Sequence, residues 1–279
     1  MRHHGCVRAQ LIERLRDAGI SPGDVSAGRR TPWAVWLELS DRGGRRVTLV
    51  DLYDLEATRR GVAVAELPAA DRQAMAHRVL AVQYPGWEVA PGGGFRAGEP
   101  VEIAGYDGHW PELFGEWRRR LGTALGDVAL RVDHVGSTAV PGLAAKPVID
   151  VQVSVDDLED EPEYVPAIES TGVVLQSREH ARRYFRPPPG RPRTVQVHVC
   201  AAGSEWERDH LLFRDYLRAH DEVRDAYAAL KRELARCWGS DRLAYTGEKT
   251  AFILGTLEIA ESWAANQPPD PAGESRRGH

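Results

Sequence analysis

Cysteine is scarce in this 279-residue chain. There are three, Cys6, Cys200 and Cys237, odd in number and widely spaced. That pattern argues against a disulfide framework and for a reducing compartment. No apolar run approaches the roughly 20 residues of a membrane span, and the N-terminal MRHHGCVRAQLIERL lacks the apolar core of a secretory signal. Excess positive charge is missing too. With 36 Lys and Arg against 41 Asp and Glu, net charge is −5, which argues against blanket binding to nucleic acid. Neither CxxC nor HxxxH spacing occurs, so a zinc site built from His198, Cys200 and either His134 or Asp150 has little support. No internal repeat is visible. The expectation is a soluble cytoplasmic protein with no membrane partner.

What is present suits a globular chain with one large or two modest domains, being 42% apolar and 28% charged. The sequence breaks at PGGGFRAGEP, residues 91–100, which reads as a linker. Residues 1–90 read as a small α+β domain of unassigned role. Val7 to Ala18 has helical spacing, and WAVWLEL (33–39) with RRVTLV (45–50) suggests a hairpin. Asp51–Arg60 and Pro68–Val82 read as helices. The polar, proline-rich residues 266–279 read as a disordered tail.

Residues 101–265 form the second block. Asp107 can cap a helix with Leu113, Phe114, Trp117 and Leu121 on one stripe. Strands follow at LRVDHV (130–135) and PVIDVQVSV (147–155). In the latter, Ile149, Val151, Val153 and Val155 face one way, and Val148, Asp150, Gln152 and Ser154 the other. RRYFR (182–186) and TVQVHVC (194–200) flank PPPGRP as a hairpin, the second alternating valines with Gln196, His198 and Cys200. Ser204 and Glu207 have capping-box spacing at the start of a helix. Further helices are expected over Asp221–Trp238, stopped by Gly239, and over Thr246–Ala264.

Chemistry concentrates in HVGSTAVPGLAAKPVID, residues 134–150. Gly136 and Ser137 leave a strand and precede GLAAK, which could form a helical turn. Glycine admits a ligand close to the backbone, amides at a helix start suit phosphate, and the Ser137 and Thr138 hydroxyls add donors. A plain strand-to-helix turn would look the same. Asp150 stands thirteen residues after Ser137 in a strand of Val and Ile. Such a carboxylate is either ion-paired, with Lys146 or an arginine of 182–186, or a magnesium ligand beside phosphate. His198 is either a satisfied sheet-face histidine or a proton-handling group. Arginines 178, 182, 183, 186, 191 and 193 cluster around Tyr184 and Phe185. They could hold a nucleotide, or simply face the acidic DDLEDEPE of 156–163.

The stretch DHVGSTAVPGLAAKPVID resembles the signature of the GrpB family, a group with the nucleotidyltransferase fold. The resemblance continues through HVC, HLLFRDYLRAH (210–220), YAALK and YTGEKTAFI (245–253), and covers about residues 101–265. It implies an α+β fold with a mixed sheet and packed helices. Within that superfamily it places Gly136 and Ser137 at the Gly-Ser element and Asp150 at the first metal-binding acid. It also makes Arg214, Tyr245 and Lys249 recurrent positions. Gln152 departs from the pattern, standing where a second acid would be.

These readings imply an enzyme that transfers a nucleotidyl or phosphoryl group from a nucleoside triphosphate with Mg²⁺ on Asp150. Gly136, Ser137, Thr138, Lys146, Arg182, Arg214 and Lys249 would hold phosphate, and Asp150, Ser137 and His198 would form the catalytic group. The acceptor is not identified. The alternative is a non-catalytic module that binds a nucleotide or other phosphorylated small molecule and has lost part of the metal site. RNA binding through the arginine hairpin is a weaker third reading, given the acidic total charge.

Overall fold

The structure is a computed structural model that describes residues 39–40, 46–47, 49–72, 74–75, 88–89 and 100–267. The expected helix at Val7–Ala18, most of the 91–100 linker and the tail beyond 267 lie outside the described residues. A short hairpin, β1 (Leu39–Ser40) and β2 (Arg46–Val47), pairs antiparallel where a hairpin was expected. Helix α1 spans Leu49–Arg60, beginning two residues before the expected start. Leu52, Tyr53 and Ala57 bury its inner face. The buried Glu56 is held by Arg59 and Arg60, so its charge is compensated.

Among the described residues the main sheet has six strands: β3 (Glu88–Val89), β4 (Arg131–Val135), β5 (Ile149–Val155), β6 (Val174–Glu179), β7 (Arg182–Arg186) and β8 (Val195–Ala201). Their order is β3-β6-β7-β8-β5-β4. Only β5 and β8 are parallel; the other pairs are antiparallel. Residues 88–89, which the sequence groups with the N-terminal block, are thus the edge strand of the main sheet.

Strand alternation sorts the sheet into two chemically distinct faces. Ile149, Val151, Val153, Val155, Val195, Val197, Val199 and Phe185 share one buried cluster with residues of two helices, α2 (Trp110–Leu125) and α3 (Glu161–Ser170). From α2 come Trp110, Leu121 and Leu125, and from α3 Tyr164 and Ile168. Leu113, expected on the α2 stripe, is instead exposed. Asp107 accepts the His109 N–H at 2.9 Å, so His109 takes the N-cap position. Helix α3 was not anticipated, although Glu161, Glu163 and a proline in its first turn suit a helix start.

The other face carries Asp133, Asp150, Gln152, Ser154, Gln196, His198 and Tyr184, set side by side by strand register. Helix α4 (Glu205–Ala219) covers it. Ser204 caps α4 by accepting the Glu207 N–H at 3.2 Å. The reciprocal half of the expected capping box is absent. The Glu207 carboxylate turns inward instead and accepts from the Ser154 hydroxyl and the Gly203 N–H.

Helix α5 (Asp221–Trp238) stops at Gly239 as expected. The single helix expected over Thr246–Ala264 is two, α6 (Arg242–Glu248) and α7 (Thr250–Ala265). Asp241 caps the first through Ala244 N–H, and Lys249 is the junction, ending one helix and starting the next. Phe213 and Leu217 of α4 pack with Tyr227, Ala228, Ile253 and Leu257 around Val140 and Leu143. The N-terminal segment docks nearby: Arg72 pairs with Asp241 at 3.0 Å, and Tyr53 meets Trp238 at 6.4 Å between ring centroids. Among the described residues no helix is long and apolar enough to cross a membrane.

Candidate functional site

The site begins where β4 ends. Gly136 adopts φ 71° and ψ −170°, a backbone that side-chain-bearing residues rarely take. Val135 lies opposite Asp150 in the β4–β5 register, which brings the Asp150 side chain over Gly136. A Cβ at Gly136 would stand 2.5 Å from Asp150 Oδ2. Ser137–Ala139 then form a single 3₁₀ turn. The longer helix that GLAAK suggested is absent, so no run of helical amides faces the carboxylate.

Five of the expected residues come together here: Gly136, Ser137, Asp150, His198 and Lys249. The Ser137 side chain lies beside the Tyr227 hydroxyl of α5. Lys249 lies over the Tyr245 ring at 4.6 Å. Burial pulls its ammonium down to about 8, and the Asp150 charge opposes that fall. The lysine therefore still carries its proton at neutral pH and balances the carboxylate.

His198 is fixed by four neighbours. Arg182 Nη1 lies 3.1 Å from Nδ1, and Asp150 Oδ1 lies 3.5 Å from Nε2. Guanidinium can only donate, so Nδ1 accepts and Nε2 carries the proton that faces Asp150. Tyr184 stacks on the imidazole at 5.3 Å and Trp206 lies at 5.5 Å. Burial lowers the imidazole's basicity, against the pull of Asp150. Arg182 is itself anchored by Glu179 through two bonds of 2.9 and 2.8 Å.

Other expected phosphate ligands are engaged elsewhere. The Thr138 hydroxyl is buried and donates to Val148 O at 3.2 Å, with His134 Nε2 at 3.0 Å. It braces the loop. Burial lowers that histidine to about 4. Arg214 forms a bidentate pair with Asp215 and donates to His134 O at 3.0 Å, tying α4 to β4. Arg182 serves His198. Lys146 is half-buried on the loop before β5, where its carbonyl accepts the Val148 N–H. Most of the arginine cluster faces the acidic stretch or the sheet. Arg178 and Arg183 pair with Glu161, Arg183 also with Glu159, and Arg186 donates to Gln176.

Gln152 is fully buried beneath α4, and neither Oε1 nor Nε2 has a hydrogen-bond partner. The Asp150 carboxylate and the free Gln152 carbonyl oxygen share a strand face. That donor set fits one hard cation shared with phosphate oxygens. It does not fit a two-metal clamp, which needs carboxylates around both ions. Among the described residues no three His, Cys, Asp or Glu side chains converge as a metal set. That includes the zinc combination, since Cys200 is turned into the fold against Ser154 and Val153 O.

Sequence reasoning gave no role to Trp206, nor to Tyr227 and Lys231, although YAALK (227–231) falls within the family resemblance. Tyr227 and Lys231 stand four residues apart on α5, a one-face spacing that does signal proximity. Lys231 is buried, donates to Ala144 O, and is pushed down to about 6 by burial and by Lys249.

The family model described as GrpB protein matches residues 100–258. A UPF0157 protein of Halalkalibacterium halodurans is 44% identical over 163 residues, covering 58% of this chain and 83% of that protein. A dephospho-CoA kinase of Mycolicibacterium paratuberculosis is 32% identical over 193 residues, covering 59% of this chain but 47% of that protein. The crystal structure of the conserved protein GrpB from Enterococcus faecalis superposes with a TM-score of 0.52 at 33% identity, covering 58% of this chain and 99% of that one. Its likeness matches the mixed sheet and packed helices of a nucleotidyltransferase-like fold. Matched by the family's model over more than half its length and across the whole Gly136–Asp150–Lys249 site, the chain belongs to the GrpB family.

Proposed function

We propose that this chain binds the phosphates of a nucleotide at Gly136 and Ser137, and transfers a nucleotidyl or phosphoryl group to an acceptor. The observation that carries this reading is the contact of Asp150 with the bare Gly136 backbone, with Lys249 balancing the charge. Phosphoryl chemistry asks a protein mainly for positioning and charge stabilisation. The missing side chain at Gly136 lets the Asp150 carboxylate sit against the backbone, Ser137 offers a hydroxyl, and Lys249 offers an ammonium. Asp150 with the Gln152 carbonyl would hold one Mg²⁺, which when bound supplies charge neutralisation on the phosphates. His198, with its proton directed at Asp150, orients that carboxylate.

A second reading has one specific support. Gln152 is fully buried where a second acid would stand, so the chain could bind the ligand without turning it over. Calorimetry separates the two, using ATP and dephospho-CoA with and without Mg²⁺, on the wild type and on Asp150→Ala. The name of the mycobacterial relative makes those two compounds the first probes. Mg²⁺-dependent binding lost in Asp150→Ala, with ADP or pyrophosphate released, supports transfer. Metal-independent binding unchanged by the substitution supports the module. Absence of binding by every nucleotide tried defeats both.

A further inference from the structure

The arginine cluster divides once its partners are known. Arg178, Arg182 and Arg183 each meet a glutamate, and Arg186 meets the buried Gln176. Arg193, just before β8, is arranged differently. Its Nη2 donates to the Tyr184 hydroxyl oxygen and to Gln196 Oε1, the latter at 2.6 Å. The Tyr184 hydroxyl donates to the same Gln196 oxygen at 2.7 Å. All these acceptors are neutral, and no Arg193 ion pair with a carboxylate is found among the described residues. Its Nε is buried with no hydrogen-bond partner. A guanidinium held by neutral groups keeps its full charge available to an anion.

Its position follows from strand register. Gln196 is the β8 neighbour of Asp150, while Val135 is its β4 neighbour. Asp150 therefore stands between two groups of donors. On the β4 side are Ser137, which follows that strand, and Lys249, whose charge meets that of Lys231, itself bound to Ala144 O on the loop after β4. On the β8 side are Arg193 and the Gln196 amide, whose oxygen is taken by Tyr184 and Arg193 and whose Nε2 is left to donate.

We propose that Arg193, oriented by Tyr184 and Gln196, is a second anion subsite that takes the distal phosphate of a polyphosphate ligand, across Asp150 from Ser137 and Lys249. The inference rests on the phosphate-binding reading above and adds the class of ligand: a chain of at least two phosphates rather than a monophosphate. Two cationic flanks around one carboxylate suit a polyphosphate that brings its own divalent cation.

The test is calorimetric titration of inorganic tripolyphosphate and of orthophosphate, both with Mg²⁺, into the full chain and its Arg193→Gln and Lys249→Gln variants. A charge-assisted bond predicts a loss of about 10- to 100-fold in tripolyphosphate affinity for Arg193→Gln, with orthophosphate changed by less than about threefold. Lys249→Gln should weaken both. Tyr184→Phe keeps the ring and removes the hydroxyl, and should weaken tripolyphosphate alone, by a smaller factor. Melting temperature on each variant shows that it is folded, and Tyr184→Phe carries the test if Arg193→Gln is not. Unchanged tripolyphosphate affinity in these variants, with Lys249→Gln impaired, overturns the subsite and leaves the phosphate-binding reading standing. So does an equal loss for both anions. A wild type that binds neither anion overturns the subsite together with that reading.

Discussion

Asp150 Oδ2 occupies the space that a Cβ on residue 136 would need: the two would be 2.5 Å apart, and Gly136 has φ 71°. Two independent requirements, a left-handed backbone and a close carboxylate, therefore meet at one glycine. Gly136→Ala should cost about 2–4 kcal/mol of stability through strain and overlap. Chemical denaturation of Gly136→Ala, Asp150→Gly and the double variant checks the cause. The double variant should lose less than the sum of the two, because removing the carboxylate relieves the overlap and leaves only the backbone strain. Strict additivity would contradict the contact.

His198 should be neutral and protonated on Nε2 in the resting protein, because Arg182 can only donate to Nδ1. Nitrogen-15 spectra of the labelled histidine ring report which nitrogen carries the proton. Arg182→Met should broaden or exchange that signal, since nothing then selects the tautomer. A proton found on Nδ1 in the wild type would refute the orientation.

Glu207 is a buried acceptor for both the Ser154 hydroxyl and the Gly203 N–H. Glu207→Ala strands two donors inside the fold and should cost about 2–4 kcal/mol. Ser204→Ala removes only the α4 cap and should cost about 1 kcal/mol. Urea unfolding of the two variants side by side gives the ranking, and reversal of it would mean that the inward turn of Glu207 carries little stability.

Lys231 gives the chain a pH signature. Its folded value of about 6 lies below the ordinary lysine value of 10.5, so unfolding takes up a proton between those limits. Stability from this group is therefore fully present above pH 10.5, and is lost as pH falls through that window toward about 6. Unfolding free energies of the wild type minus those of Lys231→Met should rise between pH 6 and 10. A flat difference would mean that Lys231 is charged in the folded state.

The two faces of β5 were legible in IDVQVSV, because strand alternation is a period-two rule that needs no tertiary information. The ends of α5 were legible for a similar reason: Gly239 stops a strongly amphipathic run. Strand β6 was missed, since VLQSRE mixes polar and charged residues and takes its strand form from pairing with β7. The break at Lys249 was missed because its neighbours continue a helical pattern on both sides. The capping box at Ser204 was half right: spacing shows that Glu207 can reach back, but not that a buried Ser154 competes for it.

The sequence by itself determined the family, the strand faces and the pairing of Gly136-Ser137 with Asp150, because these depend on local spacing along one stretch of chain. Only the tertiary structure decided what each charge does. Thr138, Arg182 and Arg214 look as suitable for phosphate as Lys249 or Arg193 when read as residue types. They differ because packing brought Val148, Glu179 with His198, and the His134 carbonyl against the first three, and left Arg193 with neutral partners. A side chain's charge is written in the sequence, but its availability is set by whichever groups the fold brings within hydrogen-bonding reach.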